Sequence, residues 1–384
     1  MTIIAARRRL GGIAVTVVAV VAAAVVLPGA APASPTGNAA ADEVTSQVIA
    51  AEQRATPGQR EFSDFLTGLL EKAPQHVVDF SWAGDHGVVL ASPQGEAAVR
   101  GYAASSANAV KVKVRTSVPG AIPYVDRTSV ELAAIKMLKP ASAGYLAARY
   151  DPAIDRVVVT VRTDDRAASA RAVSRALAAP AAASYTGPAL TFEYAAADDV
   201  PREAATRGGE NYSTCTGGFI ANRGASYGIT TSAHCTSQPA TYDGDTTGAT
   251  FVASNNRDVR FTTLSGDTPQ NQFRYNFGLY RTITATGIVT TGALLFKFGK
   301  TTGYTSSGTT VESFAGCVTF ASGNVWCNLY YTADKVTEGG DSGGPWFVAN
   351  TGYAFTTGSN SGGSYITPIA WVCSISGCPS VKIS

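Results

Sequence analysis

The strongest constraint on the fold is a change of texture near residue 204. Beyond it glycine, serine and threonine dominate, charge thins out and helix signals nearly vanish. Short alternating segments recur there: "GFIA", "YGITTSA", "DVRFTTL", "LLFKFGK", "CVTF" and "VWCNLYY", separated by turn clusters such as "NRGAS" and "SSGTT". Regularly spaced short strands of this kind specify a β-sandwich or barrel. Before the break, residues 34 to about 203 are alanine-rich, with charges at helical spacing. "DDRAASARAVSRALAAP" predicts a helix capped by Asp164 or Asp165, with Ala170, Val173 and Leu177 on one face and Pro180 at its end. The flanking "RVVVTVR" and "ALTFEY" read as strands and complete a β-α-β unit, and "TSQVIAAEQRATPGQREFSDFLTGLLEKA" reads as helical. The polar, glycine-bearing "PREAATRGGENY" marks the junction.

Arg7, Arg8 and Arg9 precede an apolar run from Leu10 to Leu27, and Ala31-Pro32-Ala33 follows with small residues. This is the pattern of an export signal over residues 1–33, and it predicts a secreted protein. A membrane anchor is the competing reading, since the run approaches spanning length. Its Ala/Val richness and the cleavage-like site favour the signal; the arginine cluster is compatible with either the Sec or the Tat route. With 45% apolar residues, 15% charged residues and a net charge of +2, the chain is globular and has no overall field for nucleic acid. It also lacks a basic stripe interleaved with aromatics, and nucleic acid is not expected as a partner.

All six cysteines lie after residue 214. In an exported chain they predict disulfides. Cys317 and Cys327 straddle "TFASGNVW", where a Ser-Gly turn places two strands side by side. Cys373 and Cys378 enclose the short "SISG", which leaves Cys215 with Cys235.

The stretch "GDSGGPW", Gly340 to Trp346, sets Ser342 among glycines. A serine hydroxyl needs a base to become nucleophilic, and the oxyanion it creates needs backbone N–H donors. Glycines let the amides of Gly340 and Ser342 aim at one point. Of three histidines, only His234, in "TSAHC", lies in the β-rich half. An acid must orient its ring. Asp258, in "NNRDVRF", starts a strand in which Val259 and Phe261 alternate, whereas Asp243 and Asp245 sit in a turn-like "YDGDTTG". Asp341 is better matched to a backbone or terminal amine than to His234. One histidine and no paired C-x-x-C spacing give no zinc site, and no metal or cofactor is expected.

In the order His, Asp, Ser, the "TSAHC" and "GDSGGP" motifs resemble those of the chymotrypsin-type serine proteases, and among them the secreted bacterial streptogrisin and α-lytic protease branch. "RGGENY", "CTGGF" from Cys215 to Phe219 and "KFGKTTG" from Lys297 to Gly303 are similar to stretches of that branch. The resemblance spans about residues 205–370. It implies an all-β protease domain of two six-stranded antiparallel barrels over residues 204–384, behind an α+β pro-region over residues 34–203. That pro-region would act as folding aid and intramolecular inhibitor. It implies a serine endopeptidase acting on proteins or peptides through an acyl-enzyme, with Ser342, His234 and Asp258 as triad and the mature form a monomer. It places the primary specificity pocket at Val336 and at Thr357, Gly358 and Ser359; these are uncharged, so a neutral or small apolar side chain is expected. The chain departs from many relatives in lacking the cysteine pair that walls this pocket, which implies a looser or differently shaped pocket. An inactive, protease-shaped binding module is the alternative, and a carbohydrate-binding sandwich using Tyr330, Tyr331, Trp346 and Trp371 as stacking platforms is a third reading.

Overall fold

The computed structural model describes residues 37–106, 110–139, 145–179, 182, 185–196, 202–203, 211–266, 270–276 and 279–383. The leader motifs and Pro180 lie outside the described residues. Among the described residues no helix is long and apolar enough to cross a membrane.

The first predicted helical stretch is two helices, Gly37–Ala55 and Gln59–Lys72. Pro57 cannot continue the first, and Gly58 takes φ +75° between them. The second buries Phe62, Phe65, Leu66 and Leu69, one stripe at helical spacing. That stripe packs on a three-stranded sheet, Val77–Trp82, Gly87–Ala91 and Val112–Thr116. The β-α-β unit is present: strands Arg156–Arg162 and Leu190–Ala195 run parallel, joined by the helix Arg166–Ala178. Asp165 is its cap, accepting a hydrogen bond from Ala168 N at 2.8 Å. Val173 is buried as expected, but its companions on that face are Ser169, Ala172 and Ala176 rather than Ala170 and Leu177, and Leu177 is 43% exposed. The smaller residues face inward because they let the helix lie close on Val157, Val159 and Val161.

Beyond residue 211 the chain is built from strands, with no long helix among the described residues. A six-stranded antiparallel sheet runs Thr241–Tyr242, Asp245–Val252, Arg260–Ser265, Ser226–Thr231, Ile220–Arg223, Ser380–Val381. Among the described residues no hydrogen-bonded pair closes it. A second set of six closes fully: Leu294–Gly299, Pro345–Val348, Thr351–Ser359, Ser364–Pro368, Val325–Thr332 and Thr309–Thr319, which pairs back on Leu294–Gly299. Every pairing in that ring is antiparallel, so it is a closed barrel, and strand ends that run past the ring stay open to further pairing. One apolar core, including Phe219, Phe261, Phe296, Trp346 and Phe355, spans both sets. Trp346 is 0% and Tyr330 2% exposed, and Arg257 covers the ring of Trp371 at 3.9 Å. These rings are core and wall, not sugar platforms. The disulfides are Cys215–Cys235, Cys317–Cys327 and Cys373–Cys378.

The two halves share a sheet. Cys317 and Val318 of strand Thr309–Thr319 pair with Ala148 and Ala147 of strand Tyr145–Asp151. Gly316 makes this possible: it takes φ +67°, and a Cβ there would press on Ala148 O at 2.3 Å and Glu131 Oε2 at 2.9 Å. The helix Arg127–Leu138 covers the joint, where Thr128 Oγ1 donates to Asn328 Oδ1 at 2.7 Å. Glu131, fully buried there, accepts one bond from Tyr150 N at 2.8 Å, and its other oxygen has no hydrogen-bond partner. Burial therefore pushes its carboxyl from the ordinary 4.5 to about 7.

A raised carboxyl stabilises the folded chain fully below its unfolded value and loses that contribution as pH climbs through the folded one. A rise from 4.5 to about 7 corresponds to about 3 kcal/mol. Denaturant melts of the intact chain are expected to show stability falling between about pH 5 and 7.5, with Glu131→Gln flattening that fall. An unchanged slope in the variant would remove Glu131 as its source.

Candidate active site

Strand register brings the acid and the base together. Thr231 pairs with Arg260, so the exit of strand Ser226–Thr231 lies beside the entry of strand Arg260–Ser265. His234 stands three residues past that exit and Asp258 two residues before that entry. His234 Nδ1 lies 3.0 and 2.9 Å from the two oxygens of Asp258, and His234 N donates to Asp258 Oδ1 at 3.0 Å. An ionised carboxylate only accepts, so Nδ1 carries the hydrogen and Nε2 of the neutral ring presents its lone pair. Ser342 Oγ lies 2.8 Å from that Nε2. Asp258 and Ser342 are fully buried, and the histidine side chain is 6% exposed.

Each member is held by its own anchors. The histidine turn is tied by the Cys215–Cys235 disulfide and by Ser232 Oγ, which donates to Thr356 O at 2.7 Å in the other sheet. Cys215 and Cys235 sulfurs lie near the His234 ring, but they are bonded to each other. The loop before Asp258 holds Asn255 and Asn256 at φ +58° and +56°. Asn256 bridges to the disulfide-closed hairpin: its carbonyl accepts from Cys327 N at 2.7 Å and its amide donates to Val325 O at 2.9 Å. The same hairpin sets the Trp326 ring 6.5 Å from that of His234.

The serine turn depends on glycines at two points. Gly340 takes φ +100° and Gly343 +82°. A Cβ on Gly343 would meet Thr231 Oγ1 at 2.1 Å and Thr216 O at 2.5 Å. Asp341 fixes the turn from behind. Its Oδ1 accepts from Thr301 N and Thr302 N at 2.8 and 3.2 Å, and its Oδ2 from Glu338 N at 3.0 Å and Thr302 Oγ1 at 2.6 Å. Lys297, fully buried, completes the shell with Nζ 3.4 Å from Asp341 Oδ2. Burial lowers the affinity of this ammonium for its proton, and the carboxylate opposes that shift. Sequence reasoning gave Asp341 a backbone or terminal amine; the structure gives it backbone amides and the Lys297 ammonium. The signal was present in "LLFKFGK": a lysine inside a strand buried from Leu295 to Gly299 requires a counter-charge.

Thr357 is brought against Ser342; Gly358 and Ser359 continue its strand, and Val336 joins the same sheet through Ser364. Ser342 Oγ lies 3.5 Å from Thr357 O. Hydrogen bonds cross-link this region: Ser359 Oγ donates to Thr337 O at 3.0 Å, Thr337 Oγ1 reaches Gly358 O at 3.4 Å, and Val336 N donates to Ser364 Oγ at 3.1 Å. Asp334 is turned to Thr309 Oγ1 at 3.0 Å, and Lys335 pairs with Glu338 at 2.8 Å. No charge of this segment is thus committed to the serine. Along the outer side of the strand, Glu203 pairs antiparallel with Gly358 and Arg202 with Ser359.

No protein-family model and no curated protein matches the sequence. Among solved structures the chain is similar to Thermobifida fusca protease A, with 25% identity and a TM-score of 0.37 over 47% of this chain and 98% of that one. It is similar to the Nocardiopsis protease, at 25% identity and a TM-score of 0.36 over 45% and 93% of the two chains. A glutamic acid specific serine protease matches at 21% identity and a TM-score of 0.36, over 42% of this chain and 89% of that one.

The Lys297–Asp341 pair carries a stability prediction. Lys297→Met leaves a buried carboxylate without its cation and is expected to cost about 3–5 kcal/mol in chemical denaturation. A loss under 1 kcal/mol would mean that the backbone amides alone satisfy Asp341.

Proposed function

We propose that the chain is the precursor of a secreted serine endopeptidase of the chymotrypsin type. The observation that carries this is the Asp258–His234–Ser342 row, continuous from carboxylate to hydroxyl at hydrogen-bonding distances. Ser342 Oγ attacks the peptide carbonyl while His234 Nε2 takes its proton. Asp258 holds the tautomer and stabilises the imidazolium that forms. The amides of Gly340 and Ser342 receive the developing oxyanion, the role that the left-handed φ of Gly340 serves. The histidine then protonates the leaving amine, and water repeats the sequence on the acyl-enzyme. Val336 and the Thr357–Ser359 strand, uncharged and cross-linked by hydrogen bonds, favour a neutral or small apolar side chain.

On this reading residues 1–33 are a signal peptide, residues 34–203 a pro-region, and residues 204–384 the protease, which works as a monomer. An extended substrate would add a strand to the free side of Thr351–Ser359, and Arg202–Glu203 already occupies that side at Gly358 and Ser359. The pro-region thus inhibits by filling the substrate edge.

Two outcomes test this. Labelling of the secreted protein by a fluorophosphonate should accelerate from about pH 5 to 8 as His234 loses its proton, and Ser342→Ala should abolish it. A rate flat across that range would remove His234 as base, and an unlabelled wild type would favour the binding module. N-terminal sequencing of the secreted protein should begin between about Ala197 and Arg207; retention of the alanine-rich half would break the precursor model.

A further inference from the structure

Glu52 belongs to the first helix, yet it is 1% exposed and buried against the β-rich half. Its Oε2 accepts from Arg281 Nη1 at 2.7 Å and from Ala349 N at 2.6 Å, and its Oε1 accepts from Tyr304 OH at 2.7 Å. All three donors come from the β-rich half, and each has been placed for the task. Ala349 is a non-glycine residue at φ +50°, so its turn is held in a sparsely populated conformation at the end of strand Pro345–Val348 away from Ser342. Arg281 is fully buried and lies over the Tyr275 ring at 3.8 Å. Its Nη1 also donates to Ala349 O at 3.2 Å, while its Nε and Nη2 have no hydrogen-bond acceptor, so its own half satisfies the guanidinium only in part. A buried guanidinium, a phenol and a turn amide converging on two oxygens form a carboxylate receptor.

We propose that the β-rich half carries a second ligand site, at Arg281, Tyr304 and the amide of Ala349, that binds a carboxylate presented on a helix. Glu52 is its tethered ligand in the full chain. Resting on the precursor reading, removal of the N-terminal half uncovers the site and leaves Arg281 without its anion. The site then takes the acidic side chain of another helical segment, as an anchoring point separate from the catalytic row.

Glu52→Ala removes from the side chain the equivalent of one acetate ion and leaves the receptor intact. In the full chain carrying Ser342→Ala, it is expected to lower Tm by roughly 5 °C or more. Sodium acetate at about 0.1–0.3 M should restore at least half of that loss beyond its effect on the Glu52 chain, while acetamide and sodium chloride should not. Adding Arg281→Met should abolish the rescue. If acetate does no better than chloride, or rescues the Arg281→Met double variant equally, the receptor is refuted. If Glu52→Ala does not fold, acetate must restore a cooperative transition on refolding, and chloride serving equally well refutes it. The secreted enzyme supplies the second arm: a labelled peptide of residues 37–55 should bind at least tenfold more tightly than its Glu52→Gln form, and equal affinities overturn the site. Should the secreted chain keep its N-terminal half, the precursor reading fails, and the acetate experiment on the intact chain still decides the receptor.

Discussion

The hydrogen bond between His234 and Ser342 crosses from one sheet to another, and the remaining architecture serves to keep its 2.8 Å length. Neither sheet determines this distance alone. His234 and Asp258 are fixed by the register of two adjacent strands in the six-stranded sheet, while Ser342 hangs on a turn of the closed barrel. The span is held by short polar ties across the seam: Ser232 to Thr356, Thr216 N to Ser342 O at 2.8 Å, and the Asn256 amide to the hairpin. Hydroxyls supply part of this span, Ser232 Oγ and also Thr216 Oγ1, which donates to Gly340 O at 2.7 Å, giving the serine- and threonine-rich texture one physical reason. Small hydroxyls satisfy buried backbone groups without the volume that would push the two sheets apart.

Buried charge is used sparingly and in distinct ways. Asp341 and Lys297 neutralise each other and are supplemented by three backbone amides, so the turn behind Ser342 is rigid. Arg281 and Glu52 are also paired, but across the two halves, and two guanidinium nitrogens remain unmet. Glu131 is the opposite case, a carboxyl so enclosed that its neutral form is favoured. The completely satisfied pair sits under the proposed catalytic turn. The two incompletely satisfied groups sit where the halves meet, which is where desolvation makes contact strength most sensitive to removing one partner.

Much of the candidate site was legible because its residues are chemically singular. One histidine in the β-rich half, one serine between glycines and one aspartate opening a buried strand left few combinations. The strand segments were readable from alternation, and the disulfide pairs from loop length. The helix face over residues 166–178 was misplaced because alanine carries almost no directional signal; close packing decided between Ala170 and Ala172. Lys297 was missed as the partner of Asp341 because 44 residues separate them and only the barrel's closure brings strand and turn together. Glu52 and Arg281, 229 residues apart, left no sequence trace at all. The links among Thr337, Ser359 and Ser364 were hidden for a related reason: hydroxyl pairings between separate segments leave no mark in the sequence.

The joint between the halves has the form expected of contacts that are specific yet separable. The edge pairing of Cys317 and Val318 with Ala148 and Ala147 spans only two residue pairs, and that of Gly358 and Ser359 with Glu203 and Arg202 spans two more. Gln59 copies a strand with its side chain, accepting from Leu294 N at 3.0 Å and donating to Leu294 O at 3.2 Å. Glu52 adds a fourth point. None of these reaches deep into the core that spans Phe219 to Phe355, which is drawn, among its fully buried members, only from the β-rich half. Losing any one contact costs the joint little of its geometry, whereas forming all of them at once requires the hairpin, the specificity strand and the Ala349 turn to stand in their final relation. A surface read at several distant places therefore fixes these elements of the β-rich half relative to one another in the intact chain.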